Sequence, residues 1–113
     1  MQNLGIAITG SGSALPATFL DNQELSGLVE TSDEWITTRT GIRQRRLATA
    51  NESITTIGTA ASLKALEMAQ VNAKDLDLIL LATSTPDDLF GSASQIQAEL
   101  GATKAVAFDL TAA

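Results

Sequence analysis

The residues of this chain that could do chemistry are few, and they cluster. Arg39, Arg43, Arg45 and Arg46 put four of the seven basic side chains into eight positions, just after the only tryptophan, Trp35. A guanidinium presents a planar fork of donors matched to phosphate, and an indole offers a face on which a base can stack. The run therefore reads either as an anion site beside a stacking surface or as a solvated basic turn. The other candidates are two adjacent acid pairs, Asp33-Glu34 and Asp87-Asp88. Paired carboxylates can hold a metal or share a proton. Asp33-Glu34, however, suits the first turn of a helix, where the macrodipole favours negative charge. Asp87-Asp88 follows Pro86, as a solvated turn would. No metal site is assigned.

What is missing narrows the chemistry further. The 113 residues include no Cys, no His and no Tyr. A disulfide framework, a zinc site and an iron–sulfur cluster are all excluded within the chain, and so is a Cys–His or Ser–His nucleophilic pair. No catalytic residue is assigned. Thirteen acids against seven bases give a net charge of −6, a poor balance for general nucleic-acid binding. The longest apolar run, Leu78 to Ala82, has five residues, far short of the ~20 that span a bilayer. No positive charge precedes a hydrophobic stretch at the N-terminus, so no signal peptide is expected. The length fits one small domain or part of a larger one.

Stepping along the chain, Leu4–Ile8 reads as a strand leading into Thr9-Gly10-Ser11-Gly12-Ser13, whose glycines suggest a bend or a close backbone approach. They are not a dinucleotide fingerprint, because that pattern needs glycine where Leu15 stands. Asp21–Val29 reads as a short helix capped by Asp21 or Asn22. Thr31 or Ser32 can cap a second helix that Gly41 would end; a Thr31 cap would place Glu34 where a capping box needs it. Ser53 caps a longer helix, Ile54–Gln70, with Ile54, Ile57, Ala61, Ala65 and Met68 on one narrow stripe. Leu78–Ala82 reads as a strand covered on both faces. Ser92–Leu100 is a helix stopped by Gly101, and Ala105–Phe108 a second buried strand. Strand, helix, strand, helix, strand implies an α/β protein with parallel pairing through crossovers. The chain stops just past a buried strand, so an N-terminal piece of a longer protein is expected.

The segment Thr31-Ser32-Asp33-Glu34-Trp35-Ile36-Thr37-Thr38-Arg39-Thr40-Gly41-Ile42-Arg43 resembles the signature of the β-ketoacyl-acyl carrier protein synthase III family. The stretches 10–16, Ala60-Ala61, 80–83 and 107–110 stand in the order and spacing of the same family. The resemblance implies the first half of a thiolase-like fold, a layered α-β-α-β-α architecture, with residues 1–113 forming the N-terminal portion of one half-domain. In the family a nucleophilic cysteine follows the stretch matching Ala112-Ala113, and the catalytic His and Asn lie further on.

The implied reaction is the initiating condensation of fatty acid synthesis. Acetyl-CoA or another short acyl-CoA acylates the cysteine. Malonyl-acyl carrier protein then loses carbon dioxide, and its carbanion attacks the thioester to give 3-oxoacyl-acyl carrier protein. Acyl-CoA is a substrate, and no cofactor is implied. A homodimer in the cytoplasm or plastid stroma is expected, with no nucleic-acid or membrane partner.

Carried over by motif, Trp35 stacks on the adenine of CoA, although a lone Trp reads by itself as half-buried packing. Arg39, four residues on and on the same helical face, contacts the CoA head group, and Thr31 bonds the adenine edge unless it caps the helix. Phe90 reads by itself as a core residue; by resemblance it closes the acyl pocket of the partner subunit and limits chain length. Ser84 faces that pocket, and Gly91 stands where the family commonly has Pro. Arg43, Arg45 and Arg46 could form a positive rim for CoA or the acidic carrier protein. Two other readings stay open: a secondary-metabolism ketosynthase of the same fold, and a non-catalytic subunit of a thiolase-fold heterodimer. The residue after Ala113 would discriminate the last.

Overall fold

A computed structural model describes residues 4–111. The chain forms two compact units. One is residues 15–52; the other joins the residues up to 14 with those from 53 onward.

In the first unit, β1 (Thr18–Asp21), α1 (Asn22–Ser26), α2 (Asp33–Thr40) and β2 (Gln44–Leu47) follow one another. β1 and β2 pair antiparallel, with Thr18 opposite Leu47 and Asp21 opposite Gln44. Neither strand is expected from the sequence. Thr-Phe-Leu-Asp and Gln-Arg-Arg-Leu lack a clean apolar alternation, and each becomes a strand only by finding the other. Their cross-strand pair Phe19 and Arg46 supplies side-chain attraction, with the guanidinium 5.7 Å from the ring centre. α1 is shorter than the expected Asp21–Val29. Asp21 caps it as expected, in a reciprocal box with Glu24, but Gly27 already closes it.

In the second unit, α3 (Ile54–Ala69) is followed by a 3-10 turn (Ala73–Asp75), β3 (Leu78–Ala82), α4 (Ala93–Leu100) and β4 (Val106–Leu110). Ser53 caps α3 as expected, its hydroxyl accepting the Thr56 N–H at 3.1 Å. β3 and β4 run parallel, Leu78 opposite Val106 through Ala82 opposite Leu110, with α4 in the connection. Ala93, Ile96, Ala102 and Ala105 are buried around α4.

Two expectations fail here. Residues 4–8 form no strand, and Leu4, Ile6 and Ile8 are exposed. Apolar character alone does not make a strand; a ladder partner is required, and among the described residues β3 and β4 pair only with each other. Nor is β3 covered on both faces, or β4 a fully buried strand. Leu78, Leu80, Val106, Phe108 and Leu110 are about half exposed, while the alternate positions are less so. α4 covers one face of this two-stranded sheet, and the pleat sends every second side chain to the other.

The glycines before Leu15 do mark a close approach. A Cβ at Gly10 would overlap the Ala65 carbonyl and lie 2.9 Å from Ala69 Cβ, and one at Gly12 would overlap the Ala61 carbonyl. The alanines of α3 form a groove in which this bare backbone lies.

Candidate functional site

Trp35 lies in the first turn of α2. Ser32 caps that helix, its Oγ accepting the Trp35 N–H at 3.1 Å. Gly41 closes it in the left-handed conformation, donating to the Thr37 carbonyl at 2.9 Å. Ser32, not Thr31, is therefore the cap. Trp35 is 53% exposed, about half of its surface. The Arg39 guanidinium lies over the indole, 4.4 Å from its centre. Two open clefts flank the ring. One, ≈ 250 Å³, is lined by Glu30, Thr31, Ser32 and Trp35; the other, ≈ 330 Å³, by Ser32, Glu34, Trp35, Thr38 and Arg39. Thr31, Trp35 and Arg39 thus gather around one indole, an arrangement able to take a flat aromatic group with an anion beside it.

A residue expected only as a possible cap of the first helix holds this platform. Asn22, buried at the start of α1, donates through Nδ2 to Asp33 Oδ1 at 2.7 Å and to the Ile42 carbonyl at 2.8 Å. Its Oδ1 accepts from Arg45 at 2.6 Å. One amide thus ties both ends of α2 to β2. The Asn22 and Thr37 hydrogen bonds, with the charge of Arg43, hold the Asp33 carboxyl below its ordinary range. Of the three arginines expected to form a positive rim, two are engaged within this unit. Arg45 also donates to the Leu20 carbonyl at 3.2 Å, and Arg46 to the Pro16 carbonyl at 3.0 Å. Both guanidiniums fasten the β1–β2 pair.

Phe90 lies on the loop between β3 and α4. It is 93% exposed and Leu89 is 100% exposed, so neither is a core residue. They line an open cleft of ≈ 430 Å³ together with Gly91, Phe108, Asp109 and Thr111 among others. Ser84 is exposed and is not part of that lining.

The acid pair lies in an exposed bend, as expected, but both carboxylates are engaged by N–H groups of the chain. Asp87 accepts the N–H groups of Ile54 and Thr55, both at 2.9 Å, and so caps α3 from outside. Burial pushes its carboxyl up, but the Thr55 and Ile54 bonds outweigh that and leave it below its ordinary value. Asp88 accepts the Phe90 N–H at 2.8 Å and a Gln95 amide N–H at 2.7 Å. Free helix N–H groups attract carboxylates, but no local spacing identifies a cap that arrives from 33 residues away. Ala112 and Ala113, where the expected nucleophile would follow, lie outside the described residues.

No protein-family model matches the chain. Similar proteins nevertheless align with all of it. All 113 residues align at 74% identity with a β-ketoacyl-[acyl-carrier-protein] synthase III of Trichormus variabilis, covering 34% of that protein. The Trichodesmium erythraeum protein of the same name aligns over 113 residues at 63%. In sequence and along its entire length, the chain is similar to the N-terminal part of β-ketoacyl-[acyl-carrier-protein] synthase III. It spans about a third of the length of the curated relatives it matches. Solved structures agree. The crystal structure of 3-oxoacyl-[acyl-carrier-protein] synthase III from Aquifex aeolicus superposes with a TM-score of 0.90 at 48% identity, over 96% of this chain and 35% of that one. The priming β-ketosynthase of the R1128 polyketide pathway gives 0.88 at 37% identity, over 98% of this chain and 35% of that one. The fold is α/β, part of a thiolase-like domain.

Proposed function

We propose that this chain is the N-terminal part of the initiating condensing enzyme of fatty acid synthesis, a cytoplasmic homodimeric acyltransferase. The 74% identity along the whole chain to a synthase III carries the reading. The exposed Trp35–Arg39 platform supports it from the residues upward. A short acyl group passes from the sulfur of CoA to an enzyme thiol, and CoA leaves as the free thiol. Malonyl-acyl carrier protein loses carbon dioxide; its carbanion attacks the enzyme thioester, expels the thiolate and forms 3-oxoacyl-acyl carrier protein. Acyl-CoA is a substrate, so the reaction needs no resident cofactor.

The part played by this chain is binding. Trp35 gives the adenine a face, Arg39 gives the head group a positive charge, and Thr31, relieved of capping by Ser32, keeps its hydroxyl for the adenine edge. Phe90 limits the length of the acyl chain at the partner subunit. The full-length protein carrying this sequence should convert acetyl-CoA and malonyl-acyl carrier protein to 3-oxoacyl-acyl carrier protein. A folded protein that yields no such product with any short acyl-CoA would overturn the reading.

The likeness to a priming β-ketosynthase supports a second reading, a starter-selecting enzyme of secondary metabolism. A preference for longer or branched acyl-CoA over acetyl-CoA would favour it. A residue other than Cys after Ala113 would instead point to a non-catalytic subunit.

A further inference from the structure

Asp109 projects from β4 to the beginning of α4. Its Oδ2 accepts the Ser92 N–H at 2.8 Å and its Oδ1 the Ala93 N–H at 2.7 Å. Ser92 stands at the N-cap position yet makes no side-chain cap; it is fully buried, and its hydroxyl accepts the Asp87 N–H at 3.1 Å instead. The strand carboxylate binds instead the N–H groups of the N-cap residue and of the first helical residue. Between this grip and Phe90 stands only Gly91, at φ +90°, where a Cβ would lie 3.0 Å from the Asp109 carboxyl carbon. Proline, with φ fixed near −65°, cannot take that conformation. On the other side, Asp88 holds the Phe90 N–H. The loop is clamped at its flanks while Leu89 and Phe90 project into solvent.

We propose that Asp109 is a positioning residue for acyl-chain selection: by holding the amides of Ser92 and Ala93 it sets how far Phe90 projects. The proposal rests on the acyltransferase reading above. In the full-length protein, Asp109→Ala removes both acceptors and frees the loop from β4. The ratio of kcat/KM for longer acyl-CoA to that for acetyl-CoA should then rise severalfold. Asp109→Asn keeps the shape and one acceptor and should give a smaller rise, with CoA affinity unchanged in both. A merely structural role would lower both rates together and leave the ratio alone. An unchanged ratio in a folded Asp109→Asn or Asp109→Ala protein overturns the proposal. Hydrogen exchange at the Ser92 and Ala93 amides supplies a readout that needs no activity. Faster exchange, with a shifted ¹⁹F signal from fluorophenylalanine at position 90, supports the grip. Unchanged exchange and signal refute it even if the protein condenses nothing, an outcome that would sink the acyltransferase reading separately.

Discussion

At the scale of single residues, the two sites depend on side chains that folding leaves exposed. Trp35 and Phe90 are large apolar groups facing water, which costs stability unless a ligand or partner covers them. Trp35→Ala should therefore weaken acyl-CoA binding by ~1–3 kcal/mol, the range for base stacking on an aromatic, while the melting temperature stays close to that of the parent. Calorimetric titration of the full-length protein checks this, and equal affinities would return Trp35 to a packing role. Phe90→Ala should widen acyl-CoA use toward longer chains in a steady-state survey of chain lengths. Asn22 behaves oppositely, being buried and fully engaged. Asn22→Ala would strand Arg45 and Asp33 without their shared partner, and denaturant unfolding should show a loss of at least about 2 kcal/mol.

At the scale of elements, helix ends decide what the sequence does and does not reveal. Caps drawn from the residue just before a helix were legible: Ser53 for α3, one of the pair Asp21 and Asn22 for α1, and one of the pair Thr31 and Ser32 for α2. Caps brought by the fold were not: Asp87 reaches α3 and Asp109 reaches α4 across long sequence separations, and nothing local records that. The strands divide in the same way. The apolar run of β3 announced itself, whereas β1 and β2 exist through pairing that only the tertiary structure supplies. The Trp35 segment was legible through its motif; the amide beneath it was not, since a buried Asn looks like any helix-start Asn. Two tests follow. Asp87→Asn should cost about 1 kcal/mol at neutral pH as the cap weakens. The folded-state pKa of Asp87 lies below its ordinary value, so its contribution is complete above the usual carboxylate range. It is lost as pH falls through the folded value, and the variant should show less of this acid-side loss in pH-dependent melting. Gly12→Ala would press a methyl into the Ala61 carbonyl of α3 and should cost about 1–3 kcal/mol by overpacking.

At the scale of the whole molecule, the β3–β4 sheet turns a half-exposed row of Leu78, Leu80, Val106, Phe108 and Leu110 to solvent. A polypeptide of only these 113 residues should bind a hydrophobic dye and self-associate in size-exclusion chromatography; a dye-silent monomer would contradict this. The division into two units has an optical consequence. Trp35 is the sole tryptophan, tyrosine is absent, and Trp35 belongs to the unit of residues 15–52. Tryptophan emission from this polypeptide therefore reports the melting of that unit alone, while far-ultraviolet circular dichroism follows the helices of both. Coincident curves would mean that the two units unfold as one cooperative body; separated curves would time the loss of the indole platform independently of the Phe90 loop.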